Sequence, residues 1–445
     1  VTITPSDSRI FGPWFGHPGV AAAFSDERCV EYMLRVEAAL AQVLGRQGLI
    51  PEPAAAQIVQ AASQVKVDFD QLRAEADRAG FPVAELVRQL RAQAGEEAGK
   101  FVHWGATTQD ILDTARVLQI QESLKPIEQA LGQLIARLAG LAERHRSQLM
   151  AGRTHTQQAL PITFGYKVAG WLAPLLRHRR RLAELKPRLL VLQLGGAVGT
   201  LAAYAEHGPA LYAAMAQELG LGLAAAPWHS QRDGFAEFAG WLSLLTGSLA
   251  KLAQDVLLMG QTEIGELRES ADPGRGGSSA MPQKSNPVAS GQILAAARAN
   301  AALLASVHDA MVHEHERGTH GLQLEWLSLP QMLTLAATAL DKAVFLAENL
   351  VVDGQRMLAN LEGAQGTILA ERYRDALAAV MGRQEAERLV REACQIALEE
   401  RRDLGAVLRE RTAASLDWDS LADPSQYLGS LSWFVDRVLQ QARSA

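Results

Sequence analysis

Cysteine is nearly absent from the chain: Cys29 and Cys394 are the only two in 445 residues. Two thiols are too few for a disulfide framework, so packing has to hold the fold, and a reducing compartment is expected. An excess of positive charge is missing too. There are 43 lysines and arginines against 49 acidic residues, a formal charge of −6. That balance cannot neutralise a phosphate backbone, which argues against a nucleic-acid partner. Long apolar runs are also lacking. The most apolar stretch, 189–205, is broken by Gly195 and Gly196 and contains Gln193, whereas a membrane span needs about 20 apolar residues. Val1 to Asp7 show no basic segment leading into an apolar run, so no signal peptide is expected. The expectation is a cytoplasmic protein without membrane contact. Aromatic residues make up only 6%, and the β-branched and aromatic runs that mark strands are scarce.

What is abundant is alanine, leucine, arginine, glutamate and glutamine, the strong helix formers. Ile127, Leu131, Leu134, Ile135, Leu138 and Leu141 recur at three- and four-residue steps, with Pro126 expected just inside the start of that helix. A second helix is expected from Phe235 to Leu267, roughly 50 Å at 1.5 Å per residue. Phe238, Trp241, Leu242, Leu245, Leu249, Leu252, Val256 and Met259 make it apolar around much of its circumference, so it needs neighbours on several sides. Further helices are expected after Pro287 towards Val312 and from about Leu333 to Leu350. The reading is all-α, in three helical domains: 1–100, a long-helix bundle over 101–351, and 352–445. Helices this long and apolar suggest that bundles from several subunits pack together.

Between two of the long helices lies 272–288, with Gly274, Gly276 and Gly277 followed by Ser278, Ser279, Lys284 and Asn286. Glycine relaxes the steric limits on φ, so such a loop can bring its backbone close to a ligand. Two hydroxyls, an ammonium and an amide suit an anionic substrate. The same composition is also that of a plain solvated linker.

The string Gly277-Ser278-Ser279-Ala280-Met281-Pro282-Gln283-Lys284-Ser285-Asn286-Pro287 resembles the signature loop of the fumarase/aspartase superfamily, G-S-S-x-M-P-x-K-x-N-P, at every fixed position. Gly105-Ala106-Thr107-Thr108-Gln109-Asp110 and Gly152-Arg153-Thr154-His155-Thr156-Gln157 resemble two further family segments in the expected order, so the likeness covers most of the chain. It implies removal of a proton next to a carboxylate, an aci-carboxylate intermediate, and departure of a group from the β carbon. Such chemistry needs donors aimed where negative charge develops. By this resemblance Ser278 is the base, working as an alkoxide once water is excluded. Lys284 and Asn286 bind the substrate carboxylate and stabilise the intermediate. Thr107, Thr108, Gln109 and Thr154 contact carboxylate oxygens, and Ser279, Gln231 and Arg232 complete the substrate-binding set. The two threonines also suit helix N-capping with Asp110 assisting, and both roles can coexist. The family implies no cofactor and no metal, and a homotetramer whose central helices form a twenty-helix core. Each active site there collects Thr107 to Gln109, His155 and the Ser278 loop from three chains.

His155 bears on the leaving group. In lyases of this superfamily the matching histidine protonates or orients what departs, because an amide anion cannot leave unaided. A carboxylate leaving group needs no such proton. Other segments are most similar to the bacterial cycloisomerase branch acting on 3-carboxy-cis,cis-muconate in protocatechuate catabolism. They include Phe101-Val102-His103-Trp104-Gly105, Pro227-Trp228-His229-Ser230-Gln231-Arg232-Asp233 and Glu314-His315-Glu316-Arg317 with Glu325-Trp326. After Arg317 the branch carries a Trp-His pair where this chain has Leu322-Gln323, and Gln283 and Ser285 replace the His and Arg of many relatives. The implied function is lactonisation of that small polycarboxylate. The alternative is a C–N lyase releasing fumarate from an N-succinyl substrate, such as adenylosuccinate. Intact Ser278, Lys284, Asn286 and His155 argue against a non-catalytic structural homologue. The basic run Arg177, Arg179, Arg180 and Arg181 reads as a solvated or intersubunit face, and the spacing of His313, Glu314, His315 and Glu316 matches no zinc motif.

Overall fold

The computed structural model describes residues 4–269, 276–281 and 283–444. Of the signature stretch 272–288, residues 272–275 and 282 lie outside the described residues, as do the outermost residues of the first and last expected domains. Eighteen α-helices fall among the described residues. With them are two small antiparallel pairs, Leu149–Thr154 with Gln157–Thr163 and Leu267–Glu269 with Leu350–Val352. The fold is all-α.

By its contacts the chain divides into two compact units. One holds 1–130, 178–247 and 295–339, the other 131–177, 248–294 and 340–445. The divisions fall inside five helices: Thr108–Arg144, Phe164–Leu189, Asp233–Met259, Val288–Asp309 and Gly321–Asn349.

In the first unit, helix Asp26–Arg46 starts where the Ser25 hydroxyl accepts the Arg28 amide. Its Met33, Val36, Leu40, Val43 and Leu44 form a buried stripe at helical spacing. The stripe packs on Ala55, Ile58 and Ala61 of helix Glu52–Gln64. Gly45 permits the close approach, since a Cβ there would stand 2.5 Å from that of Ala55. In the second unit, Tyr373 and Leu377 of helix Ala370–Met381 pack with Leu389, Val390 and Ala393 of helix Arg383–Glu400.

Three helix boundaries differ from those read in the sequence. Pro126 lies in the middle of Thr108–Arg144 rather than at a start. A proline inside a helix costs about 3 kcal/mol. Ile120, Leu124 and Ile127 beside it are at most 1% exposed, and each such side chain contributes roughly 1.5–3 kcal/mol, so burial outweighs the lost bond. Pro330 sits likewise inside Gly321–Asn349, which begins well before Leu333. The Asp233–Met259 helix stops short of Leu267: Gly260 closes its last turn on Val256, the Glu266 amide returns to the Met259 carbonyl, and Leu267 enters a strand.

Asp233–Met259 and Val288–Asp309 are long and apolar enough to cross a membrane by length and composition. In the first, Phe238, Leu242 and Leu245 are fully buried within the first unit, which is what a core helix of a folded domain requires.

Candidate active site

In the first unit the segment Gly105 to Asp110 opens the Thr108–Arg144 helix. Gly105 has φ +74° and lies so near the Tyr204 ring that a Cβ would meet it at 2.6 Å. Only glycine fits there. Asp110 reaches back to the Thr107 amide (3.0 Å), one half of a capping box. The same carboxylate accepts the Gly195 and Gly196 amides at 2.9 Å each and meets His229 Nε2 at 2.7 Å. Four partners thus satisfy a fully buried anion, and they fix the 191–201 loop against the start of the helix.

Thr107 keeps its own hydroxyl for other use. Arg317 Nη1 donates to Thr107 Oγ1 at 3.0 Å, and Nη2 donates to the carbonyls of Ala197 (3.0 Å) and Gly196 (3.3 Å). With its oxygen occupied as an acceptor, the Thr107 O–H remains free to donate. Thr107 and Thr108 are half-buried at the N-terminus of a 37-residue helix, where the backbone amides and helix dipole favour an anion.

Gln109 and Arg232 are placed differently from the expectation that they touch substrate. Gln109 is 2% exposed, and its amide donates to Asp113 Oδ2 (3.0 Å) and to the His229 carbonyl (2.9 Å). Arg232 is also 2% exposed. It makes a two-pronged pair with Asp113 at 2.8 and 2.9 Å and another with Glu325 at 2.8 and 2.5 Å, flanked by the Trp228 and Phe235 rings. Every N–H-bearing nitrogen of the guanidinium is engaged, so Arg232 braces the interior and has no donor left for a ligand. Burial alone would lower its pKa, but the two carboxylates overturn this and hold it above the usual value. Burial pushes Glu325 above the usual carboxylate range, with Arg232 opposing. Gln231 is exposed beside Trp228 and Phe235, at a hollow of about 160 Å³.

In the second unit Thr154 and Gln157 form the last pair of the Leu149–Thr154/Gln157–Thr163 hairpin, so His155 and Thr156 are its two-residue tip. Their φ values are +48° and +68°, the left-handed pair of a type I′ turn, which glycine and asparagine ordinarily supply. A β-branched residue there is strained, and strain of this kind gathers at functional sites. The turn holds the His155 ring out, exposed. Beneath it Arg153 is paired with Glu266 through bonds of 2.8 and 2.6 Å, and Asn360 donates to the same carboxylate at 2.9 Å.

The described part of the signature loop folds on itself. The Asn286 amide bonds the Gly276 carbonyl at 2.7 Å, Gly277 bridges Ser285, and the Met281 amide reaches Ser278 Oγ at 3.2 Å. Gly276 has φ +69°, and a Cβ would lie 2.4 Å from the Asn286 oxygen. Ser278 and Asn286 are half-buried; Ser279 and Lys284 are exposed. Glu269, just before the loop, caps the helix just after it, accepting the Ala289 amide at 3.0 Å and the Ser290 amide at 2.8 Å. No hydrogen bond or ion pair among the described residues joins the His155 hairpin to the Ser278 loop.

A family of lyases matches residues 17–299, and the family of adenylosuccinate lyase C-termini matches 366–438. The 3-carboxy-cis,cis-muconate cycloisomerase of Pseudomonas aeruginosa is 46% identical over 98% of this chain and 96% of its own. The chain belongs to the fumarase/aspartase superfamily of lyases. Trans-aconitate decarboxylase 1 of Mycosarcoma maydis is 42% identical over 97% of this lyase and 88% of its own length. The solved 3-carboxy-cis,cis-muconate lactonizing enzyme of Pseudomonas putida is 41% identical, with a TM-score of 0.93 over 98% of this chain and 99% of that one.

The sequence assigns no role to the residues that support the motifs of this lyase. Asp113, Glu325, Glu266 and Glu269 are acidic residues at most 7% exposed, and each makes the contact that places a motif residue or its segment. A signal was present: Gln109 and Asp113 stand four apart on one helix face, and their burial makes partners such as Arg232 obligatory. Arg317 stands in the Glu314 to Arg317 segment that resembles the cycloisomerase branch, but nothing in that resemblance assigns it to Thr107.

Proposed function

We propose that this lyase catalyses the reversible lactonisation of 3-carboxy-cis,cis-muconate, in cytoplasmic aromatic catabolism, as a homotetramer. The observation that carries the reading is the full-length likeness to the cycloisomerases, in sequence and in fold together. In the lactonising direction a carboxylate oxygen of the substrate adds to the β carbon of the alkene conjugated with another carboxylate. The π electrons move into that second carboxylate, giving the aci-carboxylate. Ser278 then delivers its proton to the α carbon, and a proton from solvent restores the hydroxyl. The reverse reaction begins with Ser278 as the alkoxide base. Lys284 and Asn286 stabilise the extra negative charge, a role in which preorganised donors contribute most. Thr107, Thr108 and Thr154 bind the remaining carboxylates, with Ser279 and Gln231 at the rim. Gln109 and Arg232 act by holding the Thr107 segment in place.

The homotetramer is part of the same proposal. Less than half of the apolar stretch of helices Asp233–Met259 and Val288–Asp309 is buried within one chain, and Leu244 and Leu258 are 55% and 40% exposed. Neighbouring copies would cover them. In that assembly the Thr107 segment, the His155 turn and the Ser278 loop would come from three chains. The three-domain division at about 100 and 351 belongs to this arrangement. His155 supports one competing reading, a C–N lyase, because an imidazole at a strained, exposed tip suits a general acid for a departing amine.

The experiment is product analysis by proton NMR with two candidate substrates, 3-carboxy-cis,cis-muconate and adenylosuccinate. Lactone from the first, abolished in Ser278→Ala, supports the proposal. Fumarate from the second with an inert muconate replaces it by the C–N lyase.

A further inference from the structure

His313 lies at the start of the turn between helices Val288–Asp309 and Gly321–Asn349. Both of its ring nitrogens are buried and have no hydrogen-bond partner. The ring fills the inside of the turn: a Cβ on Gly318 would come within 2.8 Å of Nδ1, and one on Gly321 within 2.0 Å of Nε2. The turn therefore closes around the ring and leaves neither nitrogen an acceptor, so each added proton there goes unpaired. Arg317, the residue that donates to Thr107 and to the Gly196 and Ala197 carbonyls, stands in the same turn. Its own Nε is buried without a partner.

We propose that His313 is a proton-sensitive positioning residue: neutral, it lets the 313–321 turn close and hold Arg317 against Thr107, and protonated, it releases them. The charged groups that act on the ring are Asp113 of helix Thr108–Arg144, Arg232 just before helix Asp233–Met259, and Glu314 and His320 from its own turn. Glu314 is committed to the Thr319 amide at 3.0 Å and lies 3.5 Å from His320. Asp113 is committed to Arg232. An imidazolium would thus be opposed by burial and by the Arg232 charge, with both carboxylates that could favour it already used. Burial first, and Arg232 second, hold the His313 pKa below the ordinary imidazole value. The turn is therefore closed at neutral pH and opens as pH falls through that lowered value.

The effect on activity rests on the proposed role of Thr107 as a carboxylate ligand, so two readouts are needed. The first is hydrogen exchange of the whole enzyme without substrate, followed by mass spectrometry. The C2 proton of His313 reports its titration, and the peptides over 105–108 and 195–198 report the contacts of Arg317. Protection of both peptides is expected to fall at the His313 midpoint and to stay flat in His313→Leu, while His320→Gln keeps the wild-type transition. Protection that persists through the His313 titration overturns the proposal. The wild-type comparison alone decides this should His313→Leu not fold. The second readout is kcat/KM on the muconate, expected to fall about tenfold per pH unit below that midpoint, mainly through KM. Exchange that follows His313 while KM stays flat supports the coupling and removes Thr107 from the substrate-binding set.

Discussion

Arg153 and Glu266 face each other through two parallel hydrogen bonds of 2.8 and 2.6 Å, two residues before His155 at the tip of its hairpin. Glu266 has no exposed surface, and the Arg153 side chain has 18%. Removing one partner of such a pair strands the other charge, at a cost of about 3–5 kcal/mol. Glu266→Ala is therefore expected to lose stability in that range by urea unfolding. Glu266→Gln, which keeps the shape and one acceptor, should lose less and should lower turnover with little change in KM, because the His155 turn loses its brace.

The turn itself stores strain, with His155 and Thr156 both at positive φ. Thr156→Gly removes the β-branched side chain from a left-handed position and is expected to stabilise the protein by about 1 kcal/mol. Thermal unfolding checks it. A destabilised Thr156→Gly would show that the threonine makes a contact worth more than its strain.

Gly276→Ala tests the closure of the signature loop. The added methyl would meet the Asn286 oxygen at 2.4 Å, at a backbone φ of +69°. The Gly276–Asn286 bond should break, with a fall in turnover of about 10²-fold, the scale of a misplaced catalytic group. The unfolding midpoint should hardly move, since the loop is largely exposed.

The pKa of His103 is shifted in the opposite direction to that of His313. Its Nδ1 meets the buried Glu37 carboxylate at 2.5 Å. Burial opposes the charged ring, but the bond and charge of Glu37 prevail, and the His103 pKa stands above its usual value. A histidine with a raised native pKa contributes its full stability below the unfolded value, about 6.5. That contribution disappears as pH rises through the native value. Urea unfolding from about pH 6 to about pH 9 should show this decline in the wild type and not in His103→Gln.

How much of this was legible in the sequence depended on which physical quantity the reading needed. The signature loop and the Thr107 and His155 segments were legible because their side-chain chemistry is written directly in residue identity. The all-α class was legible from helix-forming composition and from apolar repeats such as Ile127 to Leu141. Helix ends were not legible at Pro126 and Pro330, since a local rule for proline was overridden by burial of Ile120, Leu124 and Ile127, which only tertiary packing decides. Arg232 was placed on the wrong side of the same divide. An arginine near a motif reads as a ligand for a carboxylate, and the carboxylates it serves are Asp113 and Glu325 of its own chain. The left-handed backbone at His155 and Thr156 carries no glycine or asparagine to announce it.

The lactonisation is tested most plainly by ultraviolet absorbance of 3-carboxy-cis,cis-muconate with catalytic amounts of the purified chain. Lactonisation removes the conjugated diene, so that band is expected to disappear at an enzymatic rate in the wild type and at least about 10³-fold more slowly in Ser278→Ala. A folded wild-type protein that leaves the band unchanged would contradict it.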